Sequence, residues 1–140
     1  MNSSPQPHPI ARTLAAAVNA QRPWQMLLFV LIGVVSYLAI TPTPPHTTDL
    51  GWDKLNHMAA FTALTFTGCL GFPGTRRLLW GVLPGMMALG ALIEVVQYFV
   101  PGRSCEWLDL GADALGIACG AALALYIWVL ARKAGVATRA

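Results

Sequence analysis

The chain has 140 residues, 56% of them hydrophobic and 11% charged, with a net charge of +3 and a mean hydropathy of +0.57. Soluble domains carry about a quarter charged residues, so lipid rather than water is the expected solvent for much of this surface. The nine Lys and Arg are scattered in ones and twos, which excludes a phosphate-tracking stripe and a nucleic-acid partner, and Cys69, Cys105 and Cys119 have no CxxC spacing that would indicate a metal or disulfide framework.

Residues 1–23 are rich in proline and polar groups and read as a cytoplasmic tail, with a short surface helix over 14–20. Four apolar runs follow, at 24–40, 55–72, 78–100 and 108–130. At 1.5 Å of rise per residue each run matches a hydrocarbon core of about 30 Å, so the expected fold is all-α, a four-transmembrane-helix bundle over 24–130 with a cytoplasmic C-terminal tail at 131–140. Thr41-Pro42-Thr43-Pro44-Pro45, Pro73-Gly74 and Pro101-Gly102 punctuate the connections, and Pro84-Gly85 predicts a kink inside the third run.

Loop charge predicts the orientation. Arg12 and Arg22 precede the first run, Arg76 and Arg77 separate the second from the third, and Arg132, Lys133 and Arg139 follow the fourth. The positive-inside rule assigns these sides, and both termini, to the cytoplasm of a bacterial plasma membrane. Trp24, Trp80 and Trp128 then fall at inner interfaces and Trp52 and Trp107 at outer ones, as interfacial tryptophans should.

All six acidic residues lie between Asp49 and Asp113. In a four-helix arrangement Asp53, Lys54 and His57 open the second helix, Glu94 and Gln97 end the third, Arg103 and Glu106 occupy the next loop, and Asp109 and Asp113 open the fourth. All are thereby brought to one outward-facing level. Asp53 and His57 are spaced i,i+4, Glu94 and Gln97 i,i+3, and Glu106, Asp109 and Asp113 i,i+3 and i,i+4, so each set lies on one helix face. The face of Asp109 and Asp113 continues through Gly116 and Gly120, a GxxxG that favours close helix approach. Ionisable groups at membrane depth need protein or water around them and a basic partner, and Arg103, Lys54 and His57 are the candidates for Glu94 and Asp113.

The blocks Asp53-Lys54-Leu55-Asn56-His57 with Phe61, Glu94-x-x-Gln97, Pro101-Gly102-Arg103-Ser104 and Asp109-x-x-x-Asp113-x-x-Gly116 resemble the VanZ-like family of bacterial membrane proteins over about Trp24 to Leu130. One position departs from it: where the family often has Asn, this chain has the titratable Asp113. The resemblance implies a multi-span helical fold and, through the family's founding member, an association with resistance to the glycopeptide teicoplanin.

The leading functional expectation is an outward polar cleft that binds a cell-envelope or lipid-linked ligand through Asp53, Lys54, His57, Glu94, Gln97, Arg103, Asp109 and Asp113, with Lys54 and Arg103 meeting phosphate. One alternative is an enzyme on an envelope substrate with His57 or Glu94 as general base, and with a divalent cation among Asp109, Asp113 and Glu94. Others are a small proton-coupled transporter using Glu94 and Asp113, and a purely structural role. Membrane lipids are the other expected partners, and no cofactor motif is present.

Overall fold

The computed structural model describes residues 13, 16–42, 53–103 and 106–133, and among these the regular structure is helical. Four long helices follow one another: α1 (Gln21–Ile40), α2 (Asp53–Gly71), α3 (Thr75–Gln97) and α4 (Trp107–Lys133). Before α1, Thr13 and residues 16–19 are helical; of the expected surface helix over 14–20, Ala20 is a non-helical break ahead of α1, and 14 and 15 lie outside the described residues. Asp49, Trp52, Ser104, Cys105 and the stretch 134–140 also lie outside them.

Three of these helices, not four, are long and apolar enough to cross a membrane: α1, α3 and α4, with mean hydropathies of 1.9, 1.8 and 2.2 over their most apolar windows. The expected span over 55–72 is thus corrected. Its helix, α2, is of similar length but carries Asp53, Lys54, Asn56, His57, Thr62, Thr65 and Thr67. The physical reason is its position. α2 packs on α1, α3 and α4, most extensively on α4, and buries His57, Phe61, Leu64, Thr65 and 67–71 among them. A helix surrounded by protein does not need the uniformly apolar face that lipid demands of its neighbours. Polar hydroxyls are tolerated there because they bond locally: Thr62 donates to Met58 O at 2.7 Å and Thr67 to Ala63 O at 2.8 Å.

The outer helices show the complementary pattern. Phe29, Val30 and Tyr37 of α1, Leu92 and Val95 of α3, and Leu115, Leu123 and Tyr126 of α4 are exposed. In a chain this poor in charge, such a surface is one that contacts acyl chains. The protein is a multi-pass membrane protein.

Contacts along the helices give their relative directions. Gln25, near the start of α1, donates through Nε2 to Gly71 O at the end of α2 at 2.9 Å, so these two helices run antiparallel. α2 and α4 run in parallel: a Cβ on Gly116 would come within 2.5 Å of Met58 O, and one on Gly120 within 2.5 Å of Thr62 O. α3 opposes both, since Gly68 of α2 faces Val82 while Gly90 of α3 faces Asp113 and Phe61. The C-terminal ends of α1 and α3 therefore meet the N-terminal ends of α2 and α4.

α3 contains one irregularity. Its residues Leu78–Val82 form a π-helical turn immediately ahead of Pro84, whose ring nitrogen has no hydrogen to donate. The disturbance expected of Pro84-Gly85 therefore takes the form of a widened turn.

The α2–α4 contact yields a prediction. Gly116→Leu forces a side chain against the Met58 carbonyl and Phe61, and overpacking of this kind costs about 1–3 kcal/mol or more where backbone must move. Leu115→Ala changes an exposed position. Thermal melts of the purified protein in detergent should show a clear loss for Gly116→Leu and little change for Leu115→Ala.

Candidate functional site

A helix leaves its last four carbonyls without intrahelical partners, and burial of such groups is costly unless donors reach them. At the C-terminal end of α1, Thr41 bonds locally to Tyr37 O and Leu38 O, and further donors come from far along the chain. Arg103 donates from Nη2 to Leu38 O at 2.8 Å and from Nε to Thr41 O at 3.3 Å, and Gln97 Nε2 donates to Ala39 O at 3.1 Å. A guanidinium is also the favoured charge at this end of the helix dipole. The tight return at Pro101-Gly102 makes the reach possible: Gly102 has φ +82°, a left-handed conformation that suits glycine, and Arg103 N bonds back to Val100 O at 3.1 Å. Arg103, through Nε and Nη2, and Gln97, through Nε2, are therefore engaged with backbone carbonyls.

The facing ends of α2 and α4 carry the opposite charge. Asp53 and Asp109 lie in first turns, where the dipole favours carboxylates. Lys54 Nζ lies 2.7 Å from Glu106 Oε2 and 3.3 Å from Asp109 Oδ1, the first a hydrogen bond and the second an ion pair by distance without hydrogen-bond alignment. The bond to Glu106 holds the Lys54 ammonium above the ordinary lysine value, with the Asp109 charge adding to it against partial burial. Lys54 therefore stays charged. Glu94 Oε2 accepts the backbone N–H of Glu106 at 3.0 Å, which pins the start of α4 to the end of α3.

Deeper in, His57 Nδ1 is 2.9 Å from Asp113 Oδ1. With Asp113 as a carboxylate, which only accepts, Nδ1 is the donor of this bond, and in the neutral imidazole Nε2 then carries the lone pair. Asp113 is 0% exposed and Asp109 1%, and Glu94, Gln97 and His57 are also buried. Gly90 makes room for Asp113, because a Cβ there would come within 2.5 Å of its Oδ2.

One end of the bundle thus holds Asp53, Lys54, His57, Asp109 and Asp113 at the starts of α2 and α4, and Glu94, Gln97 and Arg103 at or beyond the end of α3. Three groups emerge. His57 pairs with Asp113 between α2 and α4, Lys54, Asp109, Glu106 and Glu94 form a polar chain across α2, α3 and α4, and Gln97 and Arg103 turn to the end of α1. Asp53 is exposed at the rim. Glu106, expected in the loop and on the face of Asp109 and Asp113, is the joint between Lys54 and Glu94. Gly90 was not among the expected residues either, although its i,i+4 spacing from Glu94 places both on one face. Of the acidic residues considered for a cation, Asp109 lies close to Asp53 and His57, one potential ligand atom of each within 4.8 Å of the others, and neither Asp113 nor Glu94 is in that set.

This architecture, an all-α membrane bundle with apolar outer helices around a polar one and a charged network at one end, defines the class. Comparison with known families then identifies it: the VanZ/LLP1 family model matches residues 5–130, and the chain belongs to that family. No curated protein and no solved structure matches it.

The capping geometry has a measurable consequence. Arg103→Met removes charged donors from Leu38 O in α1 and from Thr41 O just beyond it, each such bond contributing about 1.5–3 kcal/mol, and should lower the melting temperature markedly. Glu106→Gln alters a largely exposed ion pair and should leave the melt close to wild type. Differential scanning fluorimetry in detergent compares the two.

Proposed function

We propose that this protein binds a cell-envelope or lipid-linked molecule at the polar end of its bundle, receiving hydroxyl or amine groups of the headgroup there. The supporting observation is an excess of acceptors. Among the described residues, Asp53, Glu94, Glu106, Asp109 and Asp113 gather at that end with Lys54 and His57, while Arg103 bonds to the Leu38 and Thr41 carbonyls. Within it, the buried Gln97 Oε1 and Asp113 Oδ2 accept no hydrogen bond. Carboxylates and amide oxygens recognise donors, so sugar hydroxyls and ammonium groups fit this end better than phosphate does.

Orientation belongs to the same reading. Arg22, Arg76, Arg77, Arg132 and Lys133 lie at the opposite end of the helices, which under the positive-inside rule is the cytoplasmic one. The polar end then faces outward, where envelope precursors and glycopeptides are met. A role in glycopeptide (teicoplanin) resistance follows from the VanZ resemblance, which supplies a context for such a ligand. The His57–Asp113 pair favours a second reading, an enzyme acting on the bound molecule with His57 as general base oriented by Asp113.

Native mass spectrometry of the protein extracted from bacterial membranes tests both. Wild type should carry a lipid-linked envelope molecule, and Glu94→Gln, nearly isosteric and still able to accept the Glu106 N–H, should lose it while remaining folded and monodisperse. Equal retention by the two proteins, or none by wild type, overturns the binding reading. Conversion of the carried molecule by wild type but not by His57→Gln would establish the enzymatic one.

A further inference from the structure

At the rim of the polar end three side chains of metal-binding type converge. Asp53 opens α2, His57 follows one turn later on the same face, and Asp109 lies in the first turn of α4; one ligand atom from each lies within 4.8 Å of the others. Asp53 is exposed, so an ion has access, while His57 and Asp109 are buried and held by packing.

Two observations outside the spacing point to a cation. The first is Asp113, a fully buried carboxylate that is not one of the three and lies 2.9 Å from His57 Nδ1. A carboxylate on one ring nitrogen fixes the tautomer and turns the other nitrogen outward as a ligand, the arrangement that commonly backs metal-bound imidazoles. The second is Asp109, whose buried Oδ1 receives no hydrogen bond. Its positive neighbour is Lys54 at 3.3 Å, a partly exposed side chain whose short bond, 2.7 Å, goes to Glu106 instead. Lys54 can keep that bond and yield its place beside Asp109.

We propose that Asp53, His57 and Asp109 form a binding site for a divalent cation of the manganese or zinc class, with Asp113 as a positioning residue behind His57 and Lys54 as an internal cation competing for Asp109. Two carboxylate oxygens and one imidazole nitrogen suit these ions, whereas soft thiolate-seeking metals find no sulfur in the set. Three protein ligands also leave coordination positions for water or for a donor from a bound molecule. The site concerns the same end of the bundle as the envelope ligand but does not depend on that ligand being bound.

Tag-free protein, purified in detergent and stripped with a chelator, is titrated with Mn²⁺ followed by electron paramagnetic resonance and with Zn²⁺ followed by calorimetry, without added lipid. Wild type should bind one ion saturably. Asp53→Asn, at an exposed position, and His57→Gln should each weaken binding by about tenfold or more, and Asp113→Asn by about 10- to 100-fold as a supporting residue does. Lys54→Met should tighten binding, an effect that general disruption of the bundle would not produce. Absence of saturable binding in wild type, unchanged affinity in Asp53→Asn, or weaker binding in Lys54→Met overturns the proposal. So does loss of the ion when His8 and His46 are replaced with alanine. Retention of an envelope molecule is read by mass, not by these titrations, so either reading can fail while the other stands.

Discussion

The close approach of α2 and α4 is the constraint on which the remaining structure depends. Gly116 and Gly120 place the α4 backbone against the Met58 and Thr62 carbonyls, a separation that any larger residue would prevent. In lipid, association of helices gains little from the hydrophobic effect and relies on packing and interhelical polar contacts, so small residues at the contact have a large effect. Running parallel at this distance, the two helices present their N-terminal turns side by side. His57 can then reach Asp113, and Lys54 can reach Asp109.

This parallel pair creates an electrostatic problem that the other two helices address. Two helix N-termini with Asp53, Asp109 and Asp113 concentrate carboxylates, and burying ionised groups is costly unless partners are present. α3 contributes Glu94, which is tied to the Glu106 backbone, and Gly90, which leaves space for Asp113. Beyond α3, the turn at Gly102 carries Arg103 across to the C-terminus of α1, where its charge opposes the negative end of that helix dipole. Positive and negative helix ends are thereby neutralised separately, and the buried Gln97 Oε1, Asp109 Oδ1 and Asp113 Oδ2 are left without hydrogen bonds.

The polarity of α2 has the same origin. Thr62, Thr67, His57 and Lys54 would be poorly tolerated against acyl chains, yet within the bundle they meet backbone carbonyls, Asp113 and Glu106. The exposed Phe29, Val30, Leu92 and Tyr126 on the outer helices face the lipid instead. Division of labour between one polar inner helix and three apolar outer ones explains why a count of apolar runs overstated the number of helices fit to face lipid.

Much of the local organisation was legible in the sequence. Periodicity placed Asp109, Asp113, Gly116 and Gly120 on one face of α4, and composition identified the lipid-facing character of the chain, because both depend only on helix geometry and side-chain chemistry. Which partners the polar residues choose was not legible. Arg103 bonds to carbonyls 62 and 65 residues away, and backbone acceptors carry no mark in an amino-acid sequence. Glu106 became a joint, and α2 an inner helix, only through contacts among all four helices. Local spacing and hydrophobicity are properties of a single segment, whereas solvent exposure and ion pairing depend on which segments pack together, and that was decided by the tertiary structure.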